Sequence, residues 1–539
     1  MLEFLKKLWK DYNIKFIYIF LLSISLPIIN NIIPKFTQRL LENGILVYDK
    51  EAIMIITIII IGLYGLKYLF NNIMQYQIIK INFNTISNLK KELINSIVNL
   101  PMTFHDKNSS EYLLTRINEV DNLSGLFSAG ILTFIINTFT AIIAFFLIFK
   151  KNNILAILTI SLIPLFIFIC KRVFKKISEQ LNKTLEYSAK TDEQMYAILK
   201  GTATLKQFND EESILEGLNE SIDNVTNTML TQSFTVNNNT NLISFCSIAI
   251  QTFIIGIVAL YITDGKLSIG DYLSISQYVA LIYVPVLSYQ SMGITLKPAI
   301  ISFKRLKSLY SSSTSIISGK RFQMKSIDTL QVNNLCFSYD ENTQIIKNIN
   351  FKLKKGDKLL ISGSNGCGKT TLAKLILGFY NSYSGNIFFN SLELKNIDEK
   401  CIREKIAIVP QKPYLFNSSL LENIKIANNK LSDEEFYKKI ENLKQLNLFR
   451  GIDLNIKSIE NGKNLSGGQI QRISLARVLI RDYDVCIFDE LTNSLDIDSK
   501  EILKEILKTE FNDKICIFIT HDNYLDDLIN YRINLYKNY

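Results

Sequence analysis

Gly363-Ser364-Asn365-Gly366-Cys367-Gly368-Lys369-Thr370 is the stretch on which the fold turns. It follows the strand-like run Lys358–Ser362 and precedes the helix-like run Thr371–Leu377. Glycines at this spacing let backbone N–H groups converge on the β- and γ-phosphates of a nucleotide. The start of a helix adds partial positive charge. Lys369 brings a full charge, and the Thr370 hydroxyl suits Mg2+, with Thr371 beginning the helix beside it. Strand, loop and helix in this order imply an α/β P-loop domain that binds a nucleotide.

The run Val485-Cys486-Ile487-Phe488 ends in Asp489-Glu490. Four apolar residues read as a buried central strand, and acids at its end reach the phosphate crevice. Asp489 is expected to hold Mg2+ and Glu490 to act as general base toward the attacking water. An acidic pair after a strand is by itself ordinary solvated surface; the phosphate loop gives this pair its meaning.

The first 300 residues have a different character. Hydrophobic residues make up 48% of the 539-residue chain and crowd into this part. A spanning helix needs about 20 mostly apolar residues. Candidate spans run over roughly 14–34, 52–79, 124–149, 153–170, 241–263 and 271–296. Segments such as 131–149 are apolar on every face, so one small soluble core does not hide them. The first span lacks a small-residue cleavage site and reads as an uncleaved anchor. Lys171, Arg172, Lys175 and Lys176 follow the fourth span, and Lys304, Arg305 and Lys307 follow the sixth. With the basic N-terminus, they place one side of the membrane in the cytosol. Lys150 and Lys151 run against this rule and are expected to snorkel. The net charge of +10 is read as membrane-related rather than as a nucleic-acid footprint.

The stretches 80–123 and 171–240 carry apolar residues at helical spacing, among them Leu89, Leu93 and Ile97, then Ile177, Leu181 and Leu185. Long helices running on into the cytosol are expected, with breaks at Pro101 and Gly201. The Ser-rich run 311–318 reads as a linker. The domain plan is thus a transmembrane domain over 1–310, a linker over 311–329 and a nucleotide-binding domain over 330–539. The 7 cysteines form no CxxC pair, so a zinc site is not expected, and Cys367 and Cys486 should be reduced. Lys67, Asn71, Asn72 and Gln75 lie in the second span and Tyr278, Tyr283, Tyr289 and Gln290 in the sixth; lining a transport path and internal packing are both open for them.

Leu465-Ser466-Gly467-Gly468-Gln469 lies between the two nucleotide motifs. With it, the chain resembles the ABC transporter family, exporter branch. The resemblance implies that Tyr339 stacks on adenine, Gln411 senses Mg2+ and γ-phosphate, Asp496 couples two sites and His521 contacts the γ-phosphate. It also implies that Ser466, Gly467, Gly468 and Gln469 bind nucleotide held by a second chain. The runs 100–107 and 201–208 are similar to the branch's two cytosolic loops, placing coupling helices near 107–112 and 207–212; Glu460 resembles a glutamate that contacts one of them. Glu111, Ile459, Leu491 and Asn493 depart from the pattern without removing a catalytic group.

The fold class expected is multidomain: an all-α six-helix transmembrane domain with long cytosolic extensions, then an ABC ATPase domain. The function expected is ATP-driven export of a hydrophobic or amphipathic small molecule or peptide by a dimer in a bacterial cytoplasmic membrane. A homodimer is the simpler reading and pairing with a sister chain the other. A lipid flippase and a non-transport ABC ATPase are the alternatives. No cysteine-peptidase segment precedes the first span, which sets the expectation apart from leader-cleaving peptide exporters.

Overall fold

The computed structural model describes residues 2–161, 163–208, 211–314, 322–339, 343–493 and 495–535. They form two compact units. One is Met1–Asn99 with Ser110–Thr314; the other is Leu100–Ser109 with Ser315–Tyr539.

The first unit is helical. Helix α1 (Leu2–Arg39) ends in a π-helical turn, Leu40–Ile45, and α2 (Lys50–Val98) starts on Asp49, whose carboxylate caps two backbone N–H groups. Pro101 starts the short α3 (Met102–Lys107), which belongs to the second unit, and extended Asn108 closes it. Helix α4 (Ser110–Asn118) runs into a 3-10 turn, Glu119–Phe127, before α5 (Ala129–Lys151). Then come α6 (Asn153–Ser161), α7 (Ile163–Lys200), α8 (Thr202–Phe208), α9 (Glu211–Thr263) and α10 (Ile269–Thr314). Among the described residues, 4 helical segments are long and apolar enough to cross a membrane: Lys10–Ile45, Lys50–Val98, Ser110–Lys151 and Ile214–Thr263.

Polar side chains bind these helices to one another, as expected where apolar faces gain nothing by leaving lipid. Asn31 Nδ2 donates to Thr140 O at 3.1 Å, and the Tyr278 hydroxyl to Asn31 O at 3.2 Å. The Tyr283 hydroxyl donates to Thr159 O at 2.8 Å, and Asn137 Nδ2 to Ser288 Oγ at 2.6 Å. Met54, Ile55, Ile58 and Ile61 on α2 are more than half exposed, the surface that acyl chains accept.

Some expectations need correction. In the third span the α-helix begins at Ala129, after the 3-10 turn, which lies close to α10: a Cβ at Gly125 would lie 2.1 Å from Thr295 O. Ser311–Thr314 continue α10 instead of opening a linker; 315–321 lie outside the described residues. Lys151 does not snorkel. Its ammonium donates to Gln38 Oε1 (2.6 Å), Asp271 Oδ1 (2.6 Å) and Ser274 Oγ (2.7 Å), drawing together α1, α5 and α10. Tyr278 and Tyr283 are packing residues, 2% and 1% exposed. Tyr289, by contrast, lines an apolar groove of about 410 Å³ with Phe134 and Thr138. Asn137 turns to Ser288, and Lys67 lies 6.0 Å over the Tyr64 ring.

In the second unit β1 (Thr329–Ser338) and β2 (Gln344–Lys354) pair antiparallel. Strand β3 (Lys358–Gly363) leads through the phosphate loop to α11 (Lys369–Ile376). Strands β4 (Ser384–Phe389) and β5 (Leu392–Glu393) complete an antiparallel sheet of order β2-β1-β4-β5. Next come α12 (Glu399–Lys405), β6 (Ile406–Val409), α13 (Leu420–Lys425) and α14 (Asp433–Gln445). Helix α15 (Gly467–Ile480), β7 (Val485–Asp489), α16 (Ile497–Thr509), β8 (Ile515–Ile519) and β9 (Tyr531–Leu535) end the order. The second sheet, β6-β7-β8-β3-β9, is parallel throughout. Strands β7 and β8 are buried along their whole length, as a sheet covered on both faces requires.

Candidate nucleotide site

Parallel strands end on one edge of their sheet, and ligands bind outside that edge. Four neighbouring strands carry the candidate residues there: Gln411 after β6, Asp489 and Glu490 at the end of β7, His521 after β8 and the phosphate loop after β3.

The loop needs its glycines. Gly363 has φ +147°, and a Cβ there would meet Leu535 O at 2.3 Å and Cys367 Sγ at 2.8 Å. Gly368 has φ +100° and lies against Ile345. Gly366 also has positive φ, and Ser364 O accepts from Cys367 N–H at 3.3 Å across Asn365 and Gly366. Lys369, 7% exposed, donates to Gly363 O at 2.6 Å and Ser364 O at 3.2 Å. Its Nζ is 2.9 Å from His521 Nε2. An ammonium cannot accept, so that ring nitrogen does. Thr370 Oγ1 donates to Asp489 Oδ2 at 2.9 Å. Burial pushes the Asp489 carboxyl up from its ordinary range, and neighbouring Glu490 adds to this; Thr370 and Lys369 pull the other way.

Glu490 has the left-handed φ of +52°, unusual for a side-chain-bearing residue, and its N–H donates to Ile519 O at 2.7 Å. Its Oε2 accepts from Gln411 Nε2 and from Asn493 Nδ2. Gln411 is itself held through its carbonyl by Gln471 Nε2 at 2.9 Å. Sequence reading noted Asn493 only as a departure from the family pattern and did not single out Gln471; their partners lie behind a turn or on another segment.

Tyr339 Oη lies 3.2 Å from Thr371 Oγ1, and its ring packs edge-on against Phe337 and Tyr380. Ser466 caps α15 in a reciprocal arrangement with Gln469, which places Gly467 and Gly468 in the first turn. Gln469 Nε2 reaches Gly451 O at 3.2 Å. No hydrogen bond among the described residues joins Ser466, Gly467, Gly468 or Gln469 to the phosphate loop. Asp496 caps α16 through Ser499 N–H. Glu460 pairs with Lys463. Cys367 is a free thiol, buried at 4% exposure.

Short helices occupy the neighbourhood of both segments expected to couple the units. Helix α3 covers 102–107 and α4 starts at Ser110, on either side of Asn108 and Ser109; α8 covers 202–208, with 209 and 210 outside the described residues. Within the second unit, the buried Tyr380 donates its hydroxyl to Asp106 of α3, and Lys374 stands 3.9 Å from the same carboxylate. Burial and this carboxylate push the Tyr380 phenol far above its usual range.

The family named ABC transporter matches residues 346–493, and the ABC transporter transmembrane region matches residues 16–286, half of the chain. The chain belongs to the ABC transporter family. It joins one transmembrane region to one ATPase domain, the plan of an exporter-type half-transporter, and it couples ATP hydrolysis to export across a membrane. It is similar to the lactococcin-G-processing and transport ATP-binding protein of Lactococcus lactis subsp. lactis, with 24% identity over 93% of this chain and 72% of that protein. It is also similar to the ATP-dependent lipid A-core flippase of Wigglesworthia glossinidia brevipalpis, with 26% identity over 90% of this chain and 84% of that protein. The solved structure of a bacterial Atm1-family ABC exporter with ATP bound shares the fold, with TM-score 0.80 over 97% of this chain and 93% of that one at 16% identity.

Proposed function

We propose that two copies of this chain form an exporter of hydrophobic or amphipathic cargo in a bacterial cytoplasmic membrane, with both ATPase domains cytosolic. The observation that carries the pairing is the separation of the Ser466–Gln469 turn from the phosphate loop within the chain: its polar side chains are spent on capping α15 and on Gly451. A facing copy is what brings such a turn to bound nucleotide. Peptide cargo is favoured over lipid by the relative whose name speaks of lactococcin G.

Lys369 holds the β- and γ-phosphates, and Tyr339 offers its ring to adenine. Thr370, Asp489 and Gln411 supply oxygen donors of the kind Mg2+ takes, with Thr370 and Asp489 already in contact. That ion, when bound, neutralises charge between the β- and γ-phosphate oxygens. Glu490 accepts the proton of the attacking water as its oxygen bonds to the γ-phosphorus and the bond to the β-phosphate oxygen breaks. His521 orients the γ-phosphate. The test is ATP-dependent uptake of candidate peptides and dyes into proteoliposomes whose ATPase domains face outward, with Glu490→Gln as control. Uptake by the unaltered chain alone is expected; equal uptake by both would sink the reading.

A further inference from the structure

We propose that Asn493 is a positioning residue for hydrolysis: its side-chain amide fixes the Glu490 carboxylate so that one particular oxygen meets the attacking water. The inference rests on the reading of Glu490 as general base. Asn493 Nδ2 donates to Glu490 Oε2 at 2.9 Å, and Gln411 Nε2 donates to the same oxygen. Oε1 has no hydrogen-bond partner among the described residues. A carboxylate oxygen accepting two N–H groups has less electron density to offer a proton than its free neighbour, so the pair of amides marks Oε1 as the base.

The backbone prepares this contact. Glu490 is held at φ +52° by its N–H bond to Ile519 O, and the Asn493 N–H donates to Glu490 O at 3.3 Å. That turn sets the Asn493 side chain beside the Glu490 side chain whatever residue 493 is. The amide is what turns proximity into orientation. Gln411 comes from another strand end, and its amide has two faces: Nε2 donates to Glu490 while Oε1 is left for Mg2+, so the carboxylate is held from a second segment as well. Asn493 reaches the same oxygen from within the turn that follows Glu490 itself.

Asn493→Leu keeps the bulk and the turn but removes the donor; Asn493→Asp keeps the shape and turns the donor into a like charge. Each should lower kcat for ATP about tenfold or more, the scale of one hydrogen bond to a charged group. Nucleotide affinity should stay within about twofold, and Asn493→Gln should restore most of kcat. In a Glu490→Gln background neither substitution should change the residual rate by more than about twofold, because the carboxylate they act on is gone. Equal losses in both backgrounds, or an unchanged kcat in both Asn493→Leu and Asn493→Asp, would overturn the proposal. Substantial activity in Glu490→Gln alone would instead overturn the assignment of the base. Should Asn493→Leu fail to fold, judged by lost nucleotide binding, the near-isosteric Asn493→Asp reads the same cycle.

Discussion

Replacing Glu490 by glutamine keeps the side chain's size and removes its capacity to take a proton. ATP should still bind, while turnover falls roughly 10²–10⁴-fold, the usual cost of losing a general base. Equilibrium nucleotide binding and steady-state hydrolysis on the same preparation separate the two effects. Lys369→Ala acts at the other step. Its ammonium is buried in the loop, and its loss should weaken ATP binding by roughly 10–100-fold, the range for hydrogen bonds to a charged group. The phosphate loop was legible in the sequence because glycines and lysine at fixed spacing act through local backbone. Asn493 was not legible, since the value of its amide depends on a turn that closes only when Glu490 takes a left-handed conformation. Tyr278 and Tyr283 were ambiguous for a related reason: only the packed helices reveal that their hydroxyls end on Asn31 O and Thr159 O.

Helix α3 shows how an element can belong to one unit by sequence and to another by packing. It lies in the chain between α2 and α4, yet Leu100–Ser109 clusters with the ATPase fold, where Asp106 meets Tyr380 and Lys374. Tyr380 in turn packs edge-on against Tyr339, so the ring proposed to meet adenine and the carboxylate of α3 share one tyrosine. Tyr380→Phe keeps the ring and removes the link. ATP hydrolysis should stay within about threefold while cargo moved per ATP falls, for what is lost is one hydrogen bond to a charged group. An unchanged ratio of transport to hydrolysis would contradict this role. The Lys151 cluster is the second element-scale case. Lys151→Met strands the Asp271 carboxylate, whose side chain is 18% exposed, and should cost about 1–3 kcal/mol, seen as a lowered Tm. Adding Asp271→Leu should restore part of it. Neither cluster could be read in advance, because Asp271 is 120 residues from Lys151 and Tyr380 is 274 from Asp106. The antiparallel sheet escaped for a similar reason: bulges between Val332, Leu335 and Phe337 interrupt the alternation that would announce β1.

At the scale of the whole molecule, the sequence divided correctly into apolar helices and an ATPase domain, since mean hydropathy and motif order survive any detail of packing. Among the described residues, four of the six candidate spans (14–34, 52–79, 124–149 and 241–263) fall in helical segments long and apolar enough to cross a membrane, and the helices run well past the apolar runs, as in α2, which reaches Val98, and α9, which begins at Glu211. The central claim is that the phosphate loop of one chain works with the Ser466–Gln469 turn of another. Mixed pairs test it most directly. A chain carrying Lys369→Ala and a differently tagged chain carrying Ser466→Arg are each inactive alone under this account. Purified as a mixed pair, they hold one site with both defects and one with neither. Single-turnover hydrolysis of bound ATP, which does not require the second site to fire, should then recover to about half of the unaltered pair, as one of two sites is whole. A mixed pair as inactive as either parent would contradict the account, because it would mean that each chain builds its site from its own loop and its own turn.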